Sequence, residues 1–208
     1  SVFPDVVEGE SASALTARGF LAPLRYYCPS VVDLRGVRSI GGEYDPASLV
    51  DALERSSIAG DAIRSYREHC AGRPTILFAV NVSHGLSIQK EFAAAGIHAE
   101  VITGKDKETE QGRKVAHLYA GGLLIAIDTI SEGFSFDGLH AVISMRPTRS
   151  EALWIQQIGR VARADAGKAY GLVLDHACNT LRHGMLTDQR TIAAAGRAKA
   201  PSEVTADG

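Results

Sequence analysis

From Thr75 onward the chain alternates short, continuously apolar runs with stretches of helical periodicity, and this alternation limits the folds open to it. The runs TILFAV at 75–80, Ala99–Ile102, LLIAI at 123–127, Ala141–Ser144 and YGLVL at 170–174 have strand length. Their lack of polar alternation predicts strands covered on both faces. Helices are predicted over about Ser83–Ala95, with Gly96 as a left-handed cap, over Lys107–Tyr119, and again after 150, where Thr148 and Glu151 are spaced as a capping box. The pattern predicts a doubly wound α/β fold, a parallel sheet with flanking helices.

The outer regions are less regular. Residues 1–72, with a possible strand at Leu24–Cys28 and helices at about Pro46–Arg55 and Ala59–Cys70, read as a lead-in segment packed on a main domain of residues 73–190. Residues 191–208 are rich in Ala, Gly, Lys and Pro without apolar periodicity and read as a flexible tail.

Composition excludes several classes. No apolar run reaches the ~18 residues of a membrane span, so no membrane partner is expected. The first residues lack a basic segment followed by an apolar one, the secretory pattern. Cys28, Cys70 and Cys178 are odd in number and far apart, which fits reduced thiols in a cytoplasmic protein better than a disulfide frame or a zinc site. The seven histidines show no metal-ligand spacing, and no metal site is expected. A net charge of −2 gives no global electrostatic case for nucleic acid, so local groups must carry any such role.

One stretch does so. In Trp154–Arg163 the pattern Q-x-x-G-R-x-x-R puts Gln156, Arg160 and Arg163 at helical positions i, i+4 and i+7, on one stripe. Trp154, Ile155, Ile158, Val161 and Ala162 fall on the other side. Such a helix buries one edge and presents two planar guanidinium forks suited to phosphate oxygens. Spacing alone equally fits an ordinary solvated basic face. Ligands of open α/β sheets bind beyond the carboxyl ends of the strands, so the basic ridge is expected on that side. Asp128–Gly138, which follows one strand, is rich in small and polar residues. Gly133 there allows close backbone approach, and Thr129 and Ser131 offer groups for phosphate.

The order of these pieces is more specific than any one of them. TILFAVNVSHG, then DTISEGF, then QQIGRVAR resembles motifs IV, V and VI of the second RecA-like domain of superfamily 2 helicases and translocases, over about residues 73–180. Glu132-Gly133-Phe134 and Leu174-Asp175-His176-Ala177 resemble the bacterial and phage branch related to type III restriction subunits and DNA repair helicases. The resemblance implies that Arg160 and Arg163 act on the γ-phosphate of ATP held, with Mg²⁺, mainly by an N-terminal RecA-like domain of the same protein, with Gln156 and Gly159 nearby. It implies Glu132 and Gly133 on the nucleotide side, and Thr129, Asn81, Ser83, Thr103 and Gly104 on nucleic-acid backbone phosphates, DNA being the expected strand.

Two positions depart from the family pattern. Ser135 stands where many relatives carry aspartate, and Ala164 replaces a frequent proline, which would let the helix run on. The chain also has no G-x-x-x-x-G-K-[ST], so it reads as the C-terminal half of a motor, inactive alone. The alternatives are a non-hydrolysing RecA-like binding or scaffolding module and a flavodoxin-like nucleotide-binding domain, for which Asn81–Gly85 is a poor phosphate loop.

Overall fold

The computed structural model describes residues 9–29, 32–56, 58–127 and 138–188. In chain order the elements are α1 (Ala12–Ala17), β1 (Leu24–Tyr27), β2 (Ser39–Ile40), β3 (Glu43–Tyr44), α2 (Pro46–Arg55), α3 (Ile58–His69), β4 (Thr75–Ala79), α4 (Val82–Ala94), β5 (Ala99–Ile102), α5 (Glu108–Tyr119), β6 (Leu123–Ile127), β7 (Ala141–Ser144), α6 (Glu151–Ala162), β8 (Gly171–Asp175) and α7 (Asn179–His183).

Six strands form one parallel sheet in the order β1-β8-β7-β4-β6-β5, and β2 and β3 form a separate antiparallel ribbon. Alternate residues of each strand serve opposite faces. In β4, Leu77 and Ala79 join Leu53, Tyr66, Ile88 and Phe92 of α2, α3 and α4 on one face. Ile76 and Phe78 join Leu118, Trp154, Ile158 and Val161 of α5 and α6 on the other. The sheet is therefore covered on both sides, as its unbroken apolar strands require. Trp154, 0% exposed, anchors the second layer, and its indole Nε1 donates to Gly184 O at 2.9 Å; truncation to alanine would cost about 3–5 kcal/mol.

Local chemistry fixes the ends of the elements. Asp45 caps α2 through Ser48 N and Asn81 caps α4 through His84 N, while Gly96 has the predicted positive φ, +74°. The cap of α6 is Ser150, whose side chain accepts from Leu153 N. Thr148 is not the cap: its hydroxyl donates to Glu43 and accepts from Ser150 N.

The segment before residue 73 is woven into the sheet. β1 supplies one edge, pairing in parallel with β8 from Leu24↔Gly171 to Tyr27↔Leu174, and α2 and α3 build much of the first core layer. Among the described residues no helix is long and apolar enough to cross a membrane.

Candidate functional site

In a parallel sheet each covering helix returns the chain from the carboxyl edge to the amino edge. Hence β4, β5, β6 and β7 send their following loops to one end of the domain, whereas α6 delivers its last turn to the opposite end. The candidate residues divide between these two ends.

At the carboxyl edge, Asn81 ends β4's loop and Ser83 lies exposed in the first turn of α4. The Asn81 side-chain oxygen is engaged in capping, at 2.9 Å from His84 N. Behind it His84 is buried, and its Nδ1 accepts from Val80 N at 3.2 Å. Burial holds this imidazole down to about 4, so it stays neutral and keeps its acceptor. Beyond β5, Thr103 N donates to Asp106 Oδ2 at 2.8 Å, and Lys105 N donates to Thr103 Oγ1 at 3.3 Å. Against the opposing effect of burial, the Thr103 amide and the Lys114 ammonium, 2.9 Å from Asp106, keep that carboxyl ionised. Gly104 stands exposed at the tip of this turn. The side-chain oxygens of Asn81 and Thr103 thus shape their loops, and the outward groups are the N-terminus of α4, Ser83 and the Gly104 backbone. Thr129, Glu132, Gly133 and Ser135 lie outside the described residues.

At the other end, the arginines depart from the sequence expectation in two ways. The helix stops at Ala162, and Arg163 is extended, with φ −61° and ψ 131°. Tertiary pairing ends it: Ala22 N donates to Ala162 O at 2.8 Å, and Leu21 forms an isolated antiparallel bridge with Arg163. Gln156, exposed, and Arg160, half-buried, keep their i, i+4 relation, but Arg163 leaves the stripe, and Ala164 does not prolong the helix. Second, the basic groups do not lie at the strand tips. Arg163 sits beside the amino ends of β1 and β8, where Gly171 packs against Val161 and Leu24 so tightly that an added methyl would strike the Val161 carbonyl. The strand-tip rule describes domains that hold their own ligand; groups that reach a ligand held by another body are not bound by it.

Arg160 and Arg163 remain an electrostatic pair. Burial, and then the neighbouring charge of Arg163, push the Arg160 guanidinium down from its ordinary value. Planar guanidinium forks of this kind suit phosphate oxygens. Gly159 is half-buried within the same helix, and a methyl there would meet nothing within 4 Å, so the packing of this domain does not require it.

A third group of residues was not foreseen. Glu43 on β3 accepts from Thr148 Oγ1 at 2.9 Å and from Arg149 N at 2.7 Å. Asn179, fully buried, accepts from Thr148 N and donates to Ser144 Oγ and Arg146 O. Asp175, also fully buried, accepts from Ala177 N and Thr180 N and so folds the chain after β8. Together they fix the loop between β7 and α6. The Asp175-His176-Ala177 signal was visible in sequence; the Glu43 tether, spanning more than a hundred residues of chain, was not.

The model of the helicase conserved C-terminal domain matches residues 60–165, about half of the chain. The chain belongs to that family. A 51.5 kDa protein of a Lactococcus phage is 32% identical over 182 residues, covering 86% of this chain and 40% of that protein. The ATP-dependent type ISP restriction-modification enzyme LlaBIII, solved bound to DNA, superposes with a TM-score of 0.56 at 15% identity, over 80% of this chain and 13% of that one. The E. coli DEAD-box protein SrmB, solved with the regulator RraA, gives 0.55 at 21% identity, over 73% of this chain and 92% of that one. The two superpositions show the RecA-like fold. The helicase C-terminal domain described here spans less than half the length of the curated relatives it matches.

Proposed function

We propose that this helicase C-terminal domain is the second half of an ATP-dependent motor on nucleic acid, with DNA as its strand. Arg160 and Arg163 would reach the γ-phosphate of ATP held by an N-terminal RecA-like domain, with Gln156 and Gly159 beside it. Asn81, Ser83, Thr103 and Gly104, together with Thr129, would meet backbone phosphates, and Glu132 and Gly133 would serve the nucleotide. The observation that carries the reading is the pairing of Arg160 and Arg163 at the end of α6, one guanidinium half-withdrawn from water beside the other.

Two neighbouring cations suit phosphoryl transfer, because its transition state spreads negative charge over the transferred group's oxygens. Mg²⁺ would be held by the partner domain together with the nucleotide. Weak sequence preference follows from contacts made to phosphate rather than to base edges. The cytoplasm fits the three free thiols, of which buried Cys70 is pushed up to about 12 and is inert.

The test is turnover in the complete protein. Arg163→Ala should lower kcat by ~10³ or more with a much smaller change in nucleotide affinity, and the present chain alone should show no ATPase activity. Unchanged turnover in the variant would reject the finger assignment and leave the scaffolding reading.

A further inference from the structure

The sheet order sets β4 beside β7, and the helices that follow them depart to opposite faces, α4 to one core layer and α6 to the other. A crevice therefore opens at the carboxyl tips between these strands, the place where open α/β sheets receive ligands. The β2–β3 ribbon lies across it. Between ribbon and strand tips is a cavity of about 240 Å³, lined by Ile40, Glu43, Tyr44, Val80, Arg146 and Pro147 among others.

The rim of this crevice is cationic and aromatic. The Tyr44 ring lies 6.0 Å from the guanidinium carbon of Arg149 and 5.8 Å from that of Arg182. Both arginines are exposed. Among the described residues their hydrogen-bond partners are neutral: Ser39 Oγ at 2.7 Å for Arg149, and Asn179 Oδ1 at 3.0 Å with the Thr148 carbonyl for Arg182. Nearby carboxylates are engaged by other groups than these two guanidinium heads. Glu43 takes the Thr148 hydroxyl and the Arg149 amide, and Asp45 pairs with Arg38 at 2.9 Å. Ile40, at the ribbon's turn, is 66% exposed. Two oriented guanidinium groups flanking an aromatic ring, with an exposed apolar side chain beside them, match the chemistry that holds single strands: phosphates on the cations and bases against the flat or apolar groups.

We propose that the β2–β3 ribbon and the β7–α6 loop form a second seat for single-stranded nucleic acid, in which Arg149 and Arg182 take backbone phosphates beside Tyr44. This rests on the reading of the carboxyl edge as the nucleic-acid face and extends it. Adjacent strands lie ~4.8 Å apart, so the three steps from β5 through β6 and β4 to β7 carry a track of ~14 Å. Thr103–Gly104 stand at one end, the α4 N-terminus between, and the seat at the other. The Glu43 tether holds the ribbon in place, so the seat is formed before the strand arrives.

The experiment measures binding of a labelled oligothymidylate to the complete protein across a salt series, for the wild type, R149A/R182A and the charge-preserving R149K/R182K. Loss of two phosphate contacts should make the slope of log K against log salt shallower by about 1.4 and weaken binding ~10-fold or more at low salt, with nucleotide affinity unchanged. R149K/R182K should keep most of the slope, which separates a charge effect from a folding defect. If R149A/R182A is folded and keeps the wild-type slope and affinity, the seat is wrong while the nucleic-acid face stands. If the wild type binds no strand, both fall.

Discussion

Lys168 Nζ donates to the carbonyl oxygen of Arg163 across 3.1 Å. The same ammonium reaches Val161 O at 2.6 Å, so one side chain closes the C-terminal end of α6 where both candidate finger residues are carried. Cations at a helix C-terminus complement its dipole and satisfy its orphan carbonyls. Lys168→Met keeps the apolar stem and removes the donors. It should cost about 1–2 kcal/mol in urea unfolding, and in the complete protein it should lower turnover by less than Arg163→Ala does. No change in either quantity would mean that the end of α6 is held by Leu21 and Ala22 alone.

Gly159 offers a sharper discrimination. Glycine within a helix costs up to about 1 kcal/mol relative to alanine, and neither Gly159 in α6 nor Gly112 in α5 has an atom within 4 Å of an added methyl. Gly159→Ala and Gly112→Ala should therefore both stabilise the chain by ~0.5–1 kcal/mol in thermal or urea unfolding. If a nucleotide approaches the α6 backbone, only Gly159→Ala should impair turnover of the complete protein. Equal turnover in both variants would remove Gly159 from the nucleotide side.

Two buried histidines set an acid limit. Burial holds His84 and His176 down to about 4, the charges of Asp61 and Asp175 opposing it at His176, whereas an unfolded chain protonates its histidines near 6.5. The unfolded state thus binds more protons between these values. Stability from the two groups is complete above about pH 6.5 and is lost as pH falls towards 4, by up to ~3 kcal/mol for each. Urea midpoints should be flat just above neutrality and drop between about pH 6.5 and about pH 4.5, and His84→Gln should flatten the decline. A midpoint independent of pH through that window would contradict the neutral state of both rings.

Sequence revealed the inner strands well because burial on both faces leaves an unbroken apolar run. Ala99–Ile102, Leu123–Ile127 and Ala141–Ser144 match the structure residue for residue. What escaped it depends on contacts distant in the chain. The end of α6 is decided by Leu21 and Ala22, about 140 positions earlier, and no helical periodicity records them. The capping pattern at Thr148 was overridden because Glu43 claims that hydroxyl, leaving Ser150 to cap. The β2–β3 ribbon did carry a local signal: Gly41 and Gly42, both with positive φ, join two-residue strands and are the tight-turn pair of a hairpin. Asn81 and Thr103 were singled out as phosphate contacts, and the structure shows that their side-chain oxygens first serve the loops themselves.

The pairing of Leu24–Tyr27 with Gly171–Asp175 has a practical consequence. A chain begun at Gly72 would keep the whole motif series yet strip β8 of its outer neighbour, leaving five buried residues, Gly171–Leu174 among them apolar, as a bare border. Such a border is a template for intermolecular strand addition. Trimming this protein to its most recognisable portion would therefore favour aggregation.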